Sequence, residues 1–148
     1  MKTLIIILII ASFLQTTIIS LDLVLIILIC RSYVSVFKSN LYLAFFFGLL
    51  ISYLNLETLG VVSLIYLLIA QVTESLSKIR LAGNSLLIIP ITLGLLSLSH
   101  ILNSIFIQES LQLFPKVFIE SLISLPILYM VRRWEERFIV RKDIKLKV

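Results

Sequence analysis

A single cysteine, Cys30, excludes an intramolecular disulfide, and with only one histidine, His100, most metal sites are excluded too. Four glycines leave little room for a loop that cradles phosphate. No serine, histidine and acid fall in a hydrolase motif, and no paired carboxylates are expected within one membrane layer. The expectation is therefore a protein that is not an enzyme, with no cofactor and no metal. Charged residues make up only 14% of the chain, against roughly 25% in soluble domains. The net charge of +5 does not point to nucleic acid, because the basic residues are not clustered with aromatics on a soluble face.

What is present is hydrocarbon. Of 148 residues 60% are hydrophobic, and the mean hydropathy is +1.15. A soluble chain this small could not bury so much Leu, Ile and Phe, so the expected solvent is lipid. A spanning helix needs about 20 mostly apolar residues, so six spans would use roughly 120. They are placed at about 4–19, 22–37, 41–56, 59–77, 85–107 and 111–132. The fold expected is an all-α polytopic membrane domain over residues 1–148, with short loops and a basic cytoplasmic tail at about 133–148. Met1-Lys2 and the apolar run after it resemble a signal peptide. No small-x-small cleavage site follows convincingly, so the run is read as an uncleaved first span.

"FLQTTIISLDLVLIILIC" (residues 13–30) poses the topological question. Asp22 sits inside an apolar run, where a charged carboxylate at mid-bilayer costs about 2.5–3.5 kcal/mol on insertion scales. Two helices with Asp22 at their outer joint avoid that penalty, and the basic residues agree. With the N-terminus inside, Lys2, Arg31, Lys38, Lys78, Arg80, Arg132, Arg133, Arg137, Arg141, Lys142, Lys145 and Lys147 face the cytoplasm. Of the 13 basic residues, 12 are inside and only Lys116 is outside. At the joint, Asp22 reads as a cap for the second helix, or as a contact to a partner subunit.

Polar residues within spans are functional candidates. Gln71, Glu74 and Lys78 share a face, with Glu74 and Lys78 spaced for an interfacial ion pair. In the fifth span Gly94, Ser97, His100 and Ser104 form a stripe with Asn103 beside it, suited to close helix packing. His100 reads as a packing residue more readily than as a proton relay. Pro90 and Pro126 are expected to kink their helices. Lys116 and Glu120 are spaced to neutralise one another. The tail "RRWEERFIVRKDIKLKV" suits the inner membrane surface, with Trp134 and Phe138 at the interface.

"LQTTIISLDLVLIILI" and "FFFGLLISYLNLETLG" resemble the MreD family of rod-shape-determining membrane proteins. That family shows a Gln near the end of its first span and Pro-Asp-Leu opening its second. Its third span carries Gly-Leu-Leu-x-Asp, followed eight residues later by a Gly. Gln15, Asp22, Leu23, Gly48, Leu49, Leu50, Leu59 and Gly60 fall at those positions. Leu21 replaces the usual Pro and Ser52 the usual Asp, so an acid in the third span is not available here. The match covers roughly residues 12–60.

The resemblance implies a non-catalytic scaffold of the cell-wall elongation machinery in the bacterial inner membrane. The implied partners are an MreC-like bitopic protein, the wall polymerase with its transpeptidase, and the actin-like MreB at the cytoplasmic face. Candidate packing or partner contacts are Gln15, Asp22, Gly48, Gly60, Glu74, His100 and Asn103. The alternative is the substrate-binding membrane subunit of an energy-coupling-factor vitamin importer. Such subunits carry an Ala-x-x-x-Ala stripe in their first span, where this chain has only Ala11.

Reporter fusions after Lys38, Arg80 and Val148 should read cytoplasmic, and fusions near Ser20, Glu57 and Glu109 should read external. An external C-terminus would sink the six-span topology.

Overall fold

A computed structural model describes residues 2–18, 20–78, 84–108 and 115–145. Among these residues the chain is all-helical, with six α-helices: α1 (Lys2–Thr17), α2 (Leu23–Val34), α3 (Lys38–Leu54), α4 (Val61–Lys78), α5 (Ile88–Ile107) and α6 (Lys116–Lys145). A short 3-10 turn, Ser85–Leu87, leads into α5. The apolar runs become helices because a helix pairs its backbone N–H and C=O groups within its own segment. Their breaks fall at polar punctuation. The long N-terminal run divides around Asp22, and extended backbone at Ser35 and Phe37 separates α2 from α3. Left-handed Leu56 and positive-φ Gly60 turn α3 back into α4.

The helix α2 is the hub. It packs against each of the other five helices. Nine of its 12 residues are buried, from Val24 to Tyr33. Its Leu25, Ile26 and Ile29 meet Leu8 of α1, Ile69 of α4, Leu96 of α5 and Leu128 of α6 in one core. Outward faces are apolar as well: Ile6, Phe46, Leu64 and Ile105 are each more than half exposed.

Two helices, α4 and the Ser85–Phe106 stretch, are long and apolar enough to cross a membrane, while α1, α2 and α3 are shorter apolar helices. The expected second span, 22–37, shrinks to a helix of 12 residues, about 18 Å at 1.5 Å per residue. Burial by neighbours explains this: its ends meet protein groups, so it need not reach from one interface to the other. The expected sixth span begins at 111, and residues 111–114 lie outside the described residues. The tail is helical, continuing α6 to Lys145.

Two local expectations are corrected. Pro90 is the third residue of α5, where the first turn leaves N–H groups without intrahelical partners, so it starts the helix instead of kinking it. Pro126 does lie inside α6. Gly94 does not line the α5 packing stripe, because a side chain there would meet open space. The buried face of α5 carries Thr92 and Ser99 instead. Thr92 Oγ1 lies 3.1 Å from Ser124 Oγ of α6, a hydroxyl contact across a close helix pair.

Gly48 allows α3 and α4 to touch. A Cβ there would lie 2.4 Å from the Ser63 Cα, inside backbone that cannot yield. Gly60 faces open space but has φ +103°, a region L side chains rarely adopt. Gly48→Ala should therefore destabilise the bundle by about 1–3 kcal/mol through overpacking. Gly60→Ala should lose about 1–2 kcal/mol through backbone strain. Gly94→Ala, which meets open space inside α5 and should gain about 0.5–1 kcal/mol of helix propensity, serves as the control. Thermal unfolding in detergent reads all three, and a Gly48→Ala indistinguishable from Gly94→Ala would remove the close-approach argument.

Candidate functional site

The ends of all six helices converge on one polar cavity. The α1–α2 joint contributes Gln15, Ser20 and Asp22, and the α3–α4 turn contributes Asn55 and Glu57. The helices α4, α5 and α6 add Tyr66, His100 with Asn103, and Lys116. The cavity measures about 190 Å³. This convergence follows from helices that alternate in direction: every second joint returns to the same end of the bundle.

The joint is built by Gln15. Its Nε2 donates to Asp22 Oδ1 at 3.0 Å, and its Oε1 accepts the Val24 N–H at 3.2 Å. The amide thus bridges the end of α1 to the first turn of α2. Asp22 occupies the position before α2, but its side chain makes no capping hydrogen bond. This corrects the expected cap. The cap is a neighbour's amide, because Gln15 reaches the free N–H and leaves the Asp22 carboxylate turned toward α5 and α6.

Glu120 lies on that side. It is fully buried on α6, and its Oε1 accepts the Asp22 backbone N–H at 2.9 Å across 98 residues of sequence. His100 Nε2 lies 3.6 Å from Asp22 Oδ2 and 3.6 Å from Glu120 Oε2. Those distances allow ionic attraction without a hydrogen bond, and both His100 Nε2 and Glu120 Oε2 are buried without a hydrogen-bond partner. The Asn103 Oδ1 is likewise buried without one. One donor atom from each of Asp22, His100 and Glu120 falls within 4.8 Å of the other two.

Two expectations fail here. Carboxylates do pair within one layer, since Asp22 and Glu120 meet. Glu120 does not neutralise Lys116: among the described residues no ion pair joins them. Four-residue spacing permitted that pair, but the rotation of α6 carries Glu120 into the bundle. The candidates Gln15, Asp22, His100 and Asn103 come together, while Gly48 and Gly60 belong to the α3–α4 crossing and turn. Glu74 stands apart, further along α4. It forms no ion pair with Lys78, which is exposed, and its Oε1 is buried without a hydrogen-bond partner. Glu120 and Tyr66 are among the site residues not selected as candidates from the sequence, as are Asn55 and Glu57 of the α3–α4 turn. An acid one turn into a span was the available signal for Glu120.

At the opposite end, α2 is held by another acid. Arg31 is buried, with Nε 3.8 Å from Glu135 Oε1 of α6. The same carboxylate oxygen accepts from Ser35 Oγ at 2.5 Å. Arg132 Nη1 donates to Ser85 Oγ at 2.9 Å, tying α6 to the turn before α5. Arg31, expected only as one of the basic residues on the cytoplasmic side, is thus also a packing residue.

Comparison with family models, with curated proteins and with solved structures finds no match to this chain.

Removing the bridging amide tests the joint. Gln15→Ala leaves Asp22 Oδ1 without its donor and the Val24 N–H without its acceptor, and should destabilise by about 1–3 kcal/mol. Asp22→Asn, which keeps an acceptor for Gln15, should lose less. Equal unfolding temperatures for Gln15→Ala and wild type would show that the bridge does not hold the joint.

Proposed function

We propose that the chain is a non-catalytic, six-span scaffold subunit of the bacterial inner membrane, MreD-like, serving the cell-wall elongation machinery. The observation that carries this reading is where the resemblance residues fall. Gln15 and Asp22 form the α1–α2 joint, Gly48 meets Ser63 backbone, and Gly60 holds the positive-φ turn. Ser52, in place of the usual acid, donates to the Thr58 carbonyl at 2.9 Å and closes that same turn. Residues with such jobs mark an architecture, which is what a scaffold presents to partners.

The membrane reading draws on the two helices of spanning length, the apolar outward faces and the 12-to-1 division of basic residues. Lipid solvates faces that water would not, and short helices are accommodated by local thinning at modest cost. In this orientation the polar cavity opens outward, and Arg31 with Glu135 lies near the cytoplasmic face. The basic residues toward the end of α6 would then suit anionic lipid headgroups and a cytoplasmic filament protein such as MreB. The joints and the cavity face the side where an MreC-like bitopic protein and the wall polymerase with its transpeptidase would work.

The importer reading is weaker. Its ligand would need a pocket of about 300–1,000 Å³, and the cavity here is about 190 Å³. Ala11, the sole small residue offered for docking a coupling subunit, is buried in the core.

The tagged chain, solubilised gently from its native membrane, should co-purify with a bitopic coiled-coil protein, and its depletion should round the cells. Co-purification with a pair of ATPases, with cell shape unchanged, would replace the scaffold reading by the importer.

A further inference from the structure

The cluster of Asp22, His100 and Glu120 has a feature that packing does not require. Each carboxylate has one oxygen engaged by a neighbour and the other directed at the same imidazole nitrogen. Gln15 Nε2 holds Asp22 Oδ1, and the Asp22 N–H holds Glu120 Oε1. Asp22 Oδ2 and Glu120 Oε2 are the oxygens that lie 3.6 Å from His100 Nε2. Glu120 is 0% exposed, and its Oε2 has no hydrogen-bond partner. A buried carboxylate oxygen is strongly disfavoured unless a cation meets it. An ion shared with the imidazole would meet both carboxylates at bonding distance, where His100 alone stands 3.6 Å from each.

We propose that Asp22, His100 and Glu120 bind one divalent transition metal of the zinc class. Donors at about 2.0–2.1 Å around a tetrahedral ion stand roughly 3.4 Å apart, close to the 3.6 Å separations here. Two carboxylates and a neutral imidazole cancel a charge of +2, so the occupied site is neutral inside the bundle. The imidazole favours zinc or cobalt over magnesium and calcium, which prefer all-oxygen shells. The adjoining cavity, about 190 Å³, admits water as the fourth ligand and gives the ion a way in. Gln15 is a positioning residue, since its amide orients the Asp22 carboxylate.

The metal is structural: it fastens the α1–α2 joint to α5 and α6. This site does not rest on the scaffold reading, and a scaffold without metal remains a scaffold.

The test uses the full chain in detergent, purified without a polyhistidine tag, stripped with EDTA and titrated with Zn²⁺ and with Co²⁺. Expected are one Zn²⁺ per chain, a raised unfolding temperature, and the intense visible absorption of tetrahedral Co²⁺. His100→Ala and Glu120→Gln should weaken Zn²⁺ binding by at least 100-fold. Gln15→Ala should weaken it by about 10- to 100-fold, as the loss of an orienting neighbour does. Wild-type protein that retains no stoichiometric Zn²⁺, or gives only the weak spectrum of octahedral Co²⁺, overturns the proposal without recourse to variants. Binding undiminished in a folded His100→Ala overturns it equally.

Discussion

The rest of the structure depends on the enclosure of α2. Five helices surround it, so most of its length is closed off, and polar groups at its two ends are met by partners inside the protein. At one end Gln15 supplies an acceptor for Val24 and Glu120 supplies one for Asp22. At the other, Asn40 Nδ2 donates to the Ser35 carbonyl at 2.7 Å, while Glu135 meets Ser35 and Arg31. Several of the buried polar residues are thus placed where the central helix stops.

That placement gives the bundle two unlike ends. One is a cavity with acids, an imidazole and amides drawn from α1, α5 and the joints between helices. The other is a compact lock in which one acid of α6 serves a guanidinium and a hydroxyl, and Arg132 reaches the turn before α5. Both ends use α6, which at 30 residues is the longest of the six helices. Because α6 joins both ends, the rotation that seats Glu120 against Asp22 also bears on where Glu135 meets Arg31. Ends coupled in this way hold the bundle in one definite arrangement.

Between the ends, contact is close because side chains are small. Gly48 admits the backbone of α4, and Thr92 with Ser124 allows α5 and α6 to meet through hydroxyls. Close packing of this kind relies on dispersion and interhelical hydrogen bonds, so it works in lipid, where apolar burial alone gives no drive.

The sequence by itself determined the number of helices and several of their breaks, because Asp22, Gly60 and Asn84 interrupt apolar runs in ways local chemistry dictates. The break between α2 and α3, by contrast, falls at residues 35–37, inside the expected second span. Gly48 was also legible, since a glycine in a crowded aromatic run has few uses other than close approach. Which acid meets which partner was decided by tertiary structure. Glu120 could have paired with Lys116 four residues away, yet it meets a backbone N–H 98 residues away, and Glu135 meets Ser35 100 residues away. Helices that are apolar all round carry no stripe to set their rotation. The rotation and axial register of α5 and α6 against α2 come from packing, and together they bring Asp22, His100 and Glu120 to one point.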